Sequence, residues 1–221
     1  MIIRKDFFGG AESIGVFISV TDSYMLYPPI LKKASVEELS KAFHVPAISI
    51  TIGNGRVVGA YVAGNRKGLL VPSLILEEEL EKLRTSLSEV KISILDSRDN
   101  ALGNLILCND KGALISYKLQ AYAEVIKETL NVPVKIGKFA GTDLVGSAGL
   151  SNNVGAVIHP LANDQECEYV SHALSVPVDI STVNCGIPYL GACGIANDYA
   201  LVVGKETTGP ELQRLSQMLA V

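Results

Sequence analysis

The side chains in this sequence best suited to covalent or metal chemistry are its thiols and imidazoles. They are Cys108, Cys167, Cys185 and Cys193, with His44, His159 and His172. A zinc site needs ligands gathered at short spacing, and these seven form no CxxC or other compact set. They read instead as reduced, mostly buried thiols of a cytosolic protein and as scattered imidazoles. Nucleophilic catalysis would need a nucleophile, a base and an orienting group. Cys185 or Cys193 with His159 is the combination to weigh. His159 is followed directly by Pro160, which reads as a partly buried turn. Gly141, Gly146, Gly149 and Gly155 spell neither GxxxxGK[ST] nor a GxGxxG after a strand, so no nucleotide cradle is expected. No cofactor and no metal are expected.

The glycines obey a different rule. An apolar residue and a glycine recur as Ile14-Gly15, Val58-Gly59, Leu102-Gly103, Val145-Gly146 and Leu190-Gly191. Six residues after each glycine stands a turn position: Thr21, Asn65, Asn109, Asn152 and Asn197. Helical apolar positions recur at Leu39, Leu83, Ile126, Val170 and Leu215, and again four residues later at Phe43, Leu87, Leu130, Leu174 and Leu219. Landmarks that keep one spacing of about 44 residues mean one supersecondary unit used five times. Glycine at the repeated position fits backbone packing too close for a side chain.

Within the second unit, Val57–Val62 reads as a β-rich run and Gly64–Gly68 as a turn. Leu69-Leu70-Val71 reads as a second strand stopped by Pro72. Leu76, Leu80, Leu83 and Leu87 form a helical stripe, and Val90, Ile92 and Ile94 alternate as a third strand. Capping boxes are expected at Ser35–Glu38 and at Thr208–Glu211, where Pro210 falls in the first helical turn. Val45-Pro46, Val132-Pro133 and Val176-Pro177 announce return strands. The fifth unit stops at Val221, where its return strand would begin. Residues 1–8 are strand-like and are expected to supply that strand, closing the five units into a ring without exposed edges. A β-propeller is disfavoured by the absence of Trp and by the helix in each unit.

Hydrophobic residues make up 48% and charged residues 19%, so the chain reads as compact and globular. Two uncharged runs, Leu144–Asn163 and Ile180–Asn197, contain Asn, Gly and Pro and read as buried strands and turns, not membrane spans. The charged start, Arg4-Lys5-Asp6, gives no signal-peptide pattern. A cytoplasmic location is expected.

Several segments now carry a specific resemblance. Gly64-Asn65-Arg66-Lys67-Gly68-Leu69-Leu70-Val71-Pro72 resembles the GNRxGLLVP motif of the translation initiation factor six family, ribosomal anti-association factors. Ala101-Leu102-Gly103-Asn104 with Cys108-Asn109-Asp110 resembles its ALGN…CND segment. Ser151-Asn152 with His159-Pro160, then Thr182-Val183-Asn184, Asn197-Asp198, and Thr207-Thr208 before Glu211-Leu212, match its later motifs in order. The resemblance spans the chain, and the end at Val221 is similar to the archaeal form. It implies an α/β pentein, five units about a pseudo-fivefold axis with strands inside and helices outside, as a single domain over residues 1–221. It implies binding to the joining face of the large ribosomal subunit, a steric block to the small subunit, and a role in large-subunit biogenesis. It also implies release by other factors, including a translocation-like GTPase. The pentein fold hosts guanidino-modifying enzymes as well. Here His159 lacks the His-x-acid pattern expected of them, and no Cys lies beyond Cys193. An enzyme is therefore not expected; that activity, or a non-ribosomal scaffold, is the alternative.

Charge refines the partner. The net charge is −4, the wrong sign for coating phosphates. Residues 139–221 carry only Lys205 and Arg214 against eight acids. Ribosomal proteins are thus the expected main contact of a monomeric factor, with rRNA touching a basic patch at Arg66 and Lys67, near Lys111. No DNA or membrane partner is expected. The residues beside the glycine landmarks, Ala60, Asn104, Ser147 and Ala192, should share one rim with Tyr189 and Leu190. The family resemblance points within it to Asn104, Tyr189 and Leu190. Ala60 stands where eukaryotic members tend to carry a basic side chain.

Overall fold

A computed structural model describes residues 1–5 and 13–221, Lys5 by its backbone alone. Strand β1 is Ile2–Lys5. Then come α1 (Ile14–Phe17), β2 (Ser19–Val20), β3 (Met25–Tyr27), α2 (Lys33–Phe43) and β4 (Ala47–Ser49). The same order recurs as α3 (Val58–Tyr61), β5 (Ala63–Gly64), β6 (Gly68–Pro72), α4 (Glu77–Ser86) and β7 (Lys91–Leu95). The third unit holds α5 (Leu102–Leu105), β8 (Ile106–Cys108), β9 (Ala113–Ile115), a 3-10 stretch at Tyr117–Tyr122, α6 (Ala123–Leu130) and β10 (Val134–Ile136). The fourth holds α7 (Val145–Ala148), β11 (Gly149–Ser151), β12 (Ala156–Ile158), α8 (Asp164–Leu174) and β13 (Val178–Ile180). The last holds α9 (Leu190–Cys193), β14 (Gly194–Ala196), β15 (Leu201–Gly204) and α10 (Gly209–Leu219).

The result is a mixed α/β molecule built from small sheets and helices. Among the described residues the strands form five three-stranded sheets. In β2-β3-β4, β5-β6-β7, β8-β9-β10 and β11-β12-β13 the first pair is antiparallel and the second parallel. A parallel neighbour needs a crossover, and the long helix of each unit provides it. The fifth sheet borrows its outer strand: β1 runs parallel to β15, with Ile2 opposite Leu201 and Lys5 opposite Gly204. The Met1 carbonyl accepts from Leu201 N–H at 2.9 Å, as the carbonyls of Pro46, Pro133 and Pro177 accept from Met25, Ala113 and Ala156. Residues 6–8 of the expected strand lie outside the described residues. The three Val-Pro pairs do sit between a helix end and a strand.

Four local expectations need correcting. The segment Val57–Val62 is not a strand: Val58–Tyr61 is one helical turn, and each glycine landmark lies on such a turn. Tertiary contact overrides β propensity here, because the turn brings glycine backbone against glycine backbone. Helix α2 begins at Lys33, not at Ser35, and Ser35–Glu38 lies inside it without capping. Pro72 ends β6 from within, opposite Leu95: β6 is the central strand, but its pairing with β5 stops at Leu70, so the proline sits beyond that ladder. Leu76 is the exposed residue before α4, while Leu80, Leu83 and Leu87 are buried. Each fully buried leucine contributes roughly 1.5–3 kcal/mol.

The short helices touch in sequence: α1 with α3, α3 with α5, α5 with α7, α7 with α9, and α9 with α1. A Cβ on Gly59 would overlap the carbonyl oxygen of Gly15. The same overlap would occur for Gly103 on Gly59, Gly146 on Gly103, Gly191 on Gly146 and Gly15 on Gly191. Alanine has no room at any of the five.

Candidate functional site at two ends of an axial cavity

The inner strands β2, β5, β8, β11 and β14 each begin beside a short helix and end in a turn. A cavity of about 110 Å³ lies among them, lined by the five landmark glycines and by residues such as Leu107, Leu150 and Ile195. Cys108 also lines it and donates its thiol to the Gly64 carbonyl at 3.3 Å. Burial, reinforced by Asp110, pushes that thiol up to about 12, so it is neutral and unreactive.

At the turn end the four asparagines are buried. Asn65 accepts from the N–H groups of Lys67 and Gly68 and donates to the carbonyls of Asn109 and Leu130, at 3.1 and 2.9 Å. Asn109 donates likewise to Asn152 and Leu174, Asn152 to Asn197 and Leu219, and Asn197 to Thr21 and Phe43. One amide thus closes its own turn, grips the next turn and caps the next unit's helix. Thr21 has no amide to give. That joint is made instead by Tyr24, whose hydroxyl donates to Gly68, and by Ser23, whose hydroxyl donates to Arg66.

The residues just after the turn positions form a polar crown. Arg66 pairs with Asp110 at 2.8 Å and reaches Asp22 at 3.7 Å. The Asn153 amide nitrogen lies 2.7, 2.8 and 3.0 Å from carboxylate oxygens of Asp22, Asp110 and Asp198. Burial pushes the Asp22 carboxyl up, against the Asp198 N–H bond that favours its charged form. Nearby Asp198 and Asp110 push the same way as burial, and Arg66 opposes. The structure therefore places Arg66 as a cross-link within the crown, with Lys67 exposed beside it and Lys111 exposed in the next turn.

At the glycine end, loops before the short helices are held by glutamates from neighbouring helices. Glu79 accepts from the Thr51 hydroxyl and from N–H groups of Gly53, Asn54 and Leu76. Glu211 accepts from Thr182, Cys185, Gly186 and Thr208. Its bond from Thr208 N–H is the expected helix start, with Pro210 inside the first turn. Burial alone would raise the Glu211 carboxyl, but bonds from Thr208, Thr182 and Gly186 outweigh it and hold it at about 2. Glu79 is lowered in the same way: burial raises it, and the Thr51, Leu76, Asn54 and Gly53 bonds overcome that.

The rim residues named from sequence all lie at this end but differ in exposure. Ala60 and Ser147 are buried on α3 and α7, and Leu190 is in the core with Leu150 and Val203. Asn104 is half-buried on α5, and Tyr189, just before α9, is 38% exposed. Tyr189 meets the edge of His159, ring centroids 5.7 Å apart. His159 is buried, and its Nδ1 accepts from Leu161 N–H at 3.2 Å. Burial lowers its pKa, so the imidazole is the neutral form that this bond requires. The structure joins His159 to Tyr189, a pairing the sequence reading did not make. Leu161 was missed too, since a leucine after His-Pro carries no periodic signal. Of the two thiols weighed with His159, Cys193 is buried and Cys185 exposed. Among the described residues no group of three or more His, Cys, Asp or Glu is placed to hold a metal ion, and no helix is long and apolar enough to cross a membrane.

Comparison with known proteins adds the last observation. The model of the eIF-6 family matches residues 3–218. A Methanococcus vannielii protein named translation initiation factor 6 is 34% identical over 99% of this chain and 98% of its own length. Two others of that name match over a shorter span. One, from Pyrococcus abyssi, is 42% identical over 45% of this chain and 44% of its own length. The other, from Haloquadratum walsbyi, is 44% identical over 43% and 42%. With one unit spacing, one sheet topology and a match across nearly its whole length, the chain belongs to the eIF-6 family.

Proposed function

We propose that this chain is a cytoplasmic anti-association factor. It binds the large ribosomal subunit at the face that meets the small subunit, and takes part in large-subunit biogenesis. The observation that carries the reading is the family match over residues 3–218, joined to relatives named for translation initiation. In this reading residues 1–221 are one pentein domain, five units about a pseudo-fivefold axis, acting as a monomer. The closed series of helix contacts and the borrowed strand β1 support that arrangement.

The action is steric and needs no chemistry. The docked body occupies space that the small subunit would fill. Glycine contacts and asparagine clamps give it rigid joints, so little ordering cost falls on binding. The absence of an enzymatic role is supported by the translation-factor names of the relatives and by a His159 whose Nδ1 is already engaged. The glycine end is the proposed docking face. Tyr189 and Asn104 touch the ribosome, while Ala60, Ser147 and Leu190 shape the backbone that presents them. Ribosomal proteins are the main contact; Arg66 and Lys67, the rRNA contacts expected from sequence, lie at the opposite, turn end, with Arg66 held in the crown. Release falls to other factors, including a translocation-like GTPase.

A sucrose-gradient joining assay with archaeal subunits tests this. The protein should travel with large subunits alone and suppress the joined peak. Tyr189→Ala and Asn104→Ser should each weaken binding about tenfold, near 1.4 kcal/mol, with melting unchanged. If the protein travels with neither subunit and joining proceeds, the proposal is wrong.

A further inference from the structure

We infer that the outer flank of the third unit, at Tyr117, Lys118, Lys135 and Lys138, is a platform for an unpaired RNA strand, with one base stacked on Tyr117 and the neighbouring phosphates met by the three lysines. The inference rests on the family assignment, which makes the nucleic acid RNA, and not on the docking face. The chain is acidic as a whole, yet residues 111–138 carry Lys111, Lys118, Lys127, Lys135 and Lys138 against only Glu124 and Glu128. Lys127 pairs with Glu124 at 3.2 Å. Among the described residues no carboxylate lies within ion-pair distance of Lys118, Lys135 or Lys138.

The fold gathers these side chains. Gly137 N–H donates to the Ile115 carbonyl at 2.9 Å, so the chain leaving β10 through Lys138 runs beside the chain leaving β9 through Tyr117 and Lys118. The Ser116 hydroxyl accepts from Lys118 N–H at 3.3 Å and fixes that exit. Tyr169 of α8 closes the other side. Its hydroxyl donates to the Ile136 carbonyl at 2.9 Å, and its ring lies so close to Gly137 that a Cβ there would overlap it. Lys135 Nζ stands 5.3 Å from the centre of the same ring, so a cation–π contact holds this lysine where an ion pair would otherwise engage it. Burial pushes the Tyr169 phenol up, and Tyr117 is near enough to add to the effect. Tyr117 itself is 54% exposed.

An exposed ring beside unpaired cations is what single-stranded nucleic acid uses: the ring takes a base face and the cations take the backbone. The acids of α8 leave the patch positive. Glu166 is bound by the Ala140 and Asn163 N–H groups, and Asp164 lies toward Cys167. Glu168 alone stays exposed beside Tyr169, against three lysines.

Fluorescence anisotropy of a labelled octauridylate with the full chain tests the site. The strand should bind, and an RNA duplex of equal length should bind at least about tenfold more weakly, because its bases cannot reach the ring. Tyr117→Ala should weaken binding about tenfold and leave its salt dependence unchanged. Lys118→Gln and Lys138→Gln should each lower the salt slope by about 0.7. Lys67→Gln, at the turn end, should change neither quantity, and all four variants should melt like the parent protein. The inference is overturned if the strand does not bind, if duplex binds equally well, if Tyr117→Ala binds normally, or if Lys67→Gln matches Lys138→Gln. The joining assay reads something else: its failure removes the docking reading and leaves this site standing.

Discussion

At the glycine end of the axial cavity the units meet through missing side chains; at the turn end they meet through side-chain hydrogen bonds. The first kind of joint is all or none. Where Gly103 meets Gly59, a methyl group would overlap backbone, which cannot swing aside. The second kind is graded. Four joints use an asparagine amide, and the fifth replaces it with Thr21, Ser23 and Tyr24. A polar joint can therefore be rebuilt from other donors, whereas a steric one has no substitute. The two ends also respond oppositely to acid. Glu211 at the glycine end is held below the ordinary carboxylate range, and Asp22 at the turn end is pushed above it.

The contrast is most severely tested by Gly103→Ala. It should cost more than about 4 kcal/mol, the range reached by forced overlap in a packed interior, or prevent folding. Urea unfolding measures it, and a loss below about 1 kcal/mol would erase the distinction between the ends. Next comes Asn109→Ala, which strands the carbonyls of Asn152 and Leu174 and two N–H groups. About 3 kcal/mol is expected, from several buried groups left unpaired. Thr21→Ala should cost only about 1 kcal/mol, because Tyr24 and Ser23 already carry that joint.

Acid titration should show a further loss. The Glu211 carboxyl titrates near 2 when folded and near 4.5 when unfolded. Because the folded value is lower, its contribution is complete above pH 4.5 and disappears as pH falls toward 2. On the order of 3 kcal/mol is at stake. Glu211→Gln should flatten the stability profile across that window, and an unchanged slope would show that the loop clamp is not electrostatic. The smallest effect belongs to Arg66→Ala. Its half-exposed pairs are worth less than about 1 kcal/mol, and large-subunit binding should be unchanged. A loss of binding there would move the docking face to the turn end.

The repeat was legible because backbone packing writes itself into sequence as glycine, and clamped turns as asparagine. The Val-Pro pairs likewise showed where three outer strands begin. What the sequence could not show was phase. On a one-turn helix successive side chains point about 100° apart, so Tyr189 faces solvent while Leu190, the next residue, lies in the core. Ala60 and Ser147 are hidden by the same geometry. The crown was missed for another reason. Asp22, Arg66, Asp110, Asn153 and Asp198 occupy one repeated position, but their types differ, so no pattern advertised their pairing. The His159 contact with Tyr189 joins two units and leaves no local trace either.

One consequence of the glycine contacts concerns how the molecule comes apart. In a linear solenoid each repeat leans only on its neighbours, and an end repeat can fray by itself. Here the contact of α9 with α1 leaves no end repeat. The series of contacts returns to its start, so an error at one joint must be absorbed by the other four. Amide exchange at the landmark glycines should accordingly follow one common opening energy rather than five separate ones, and evolutionary change at a joint should be arrested while the outer helices drift.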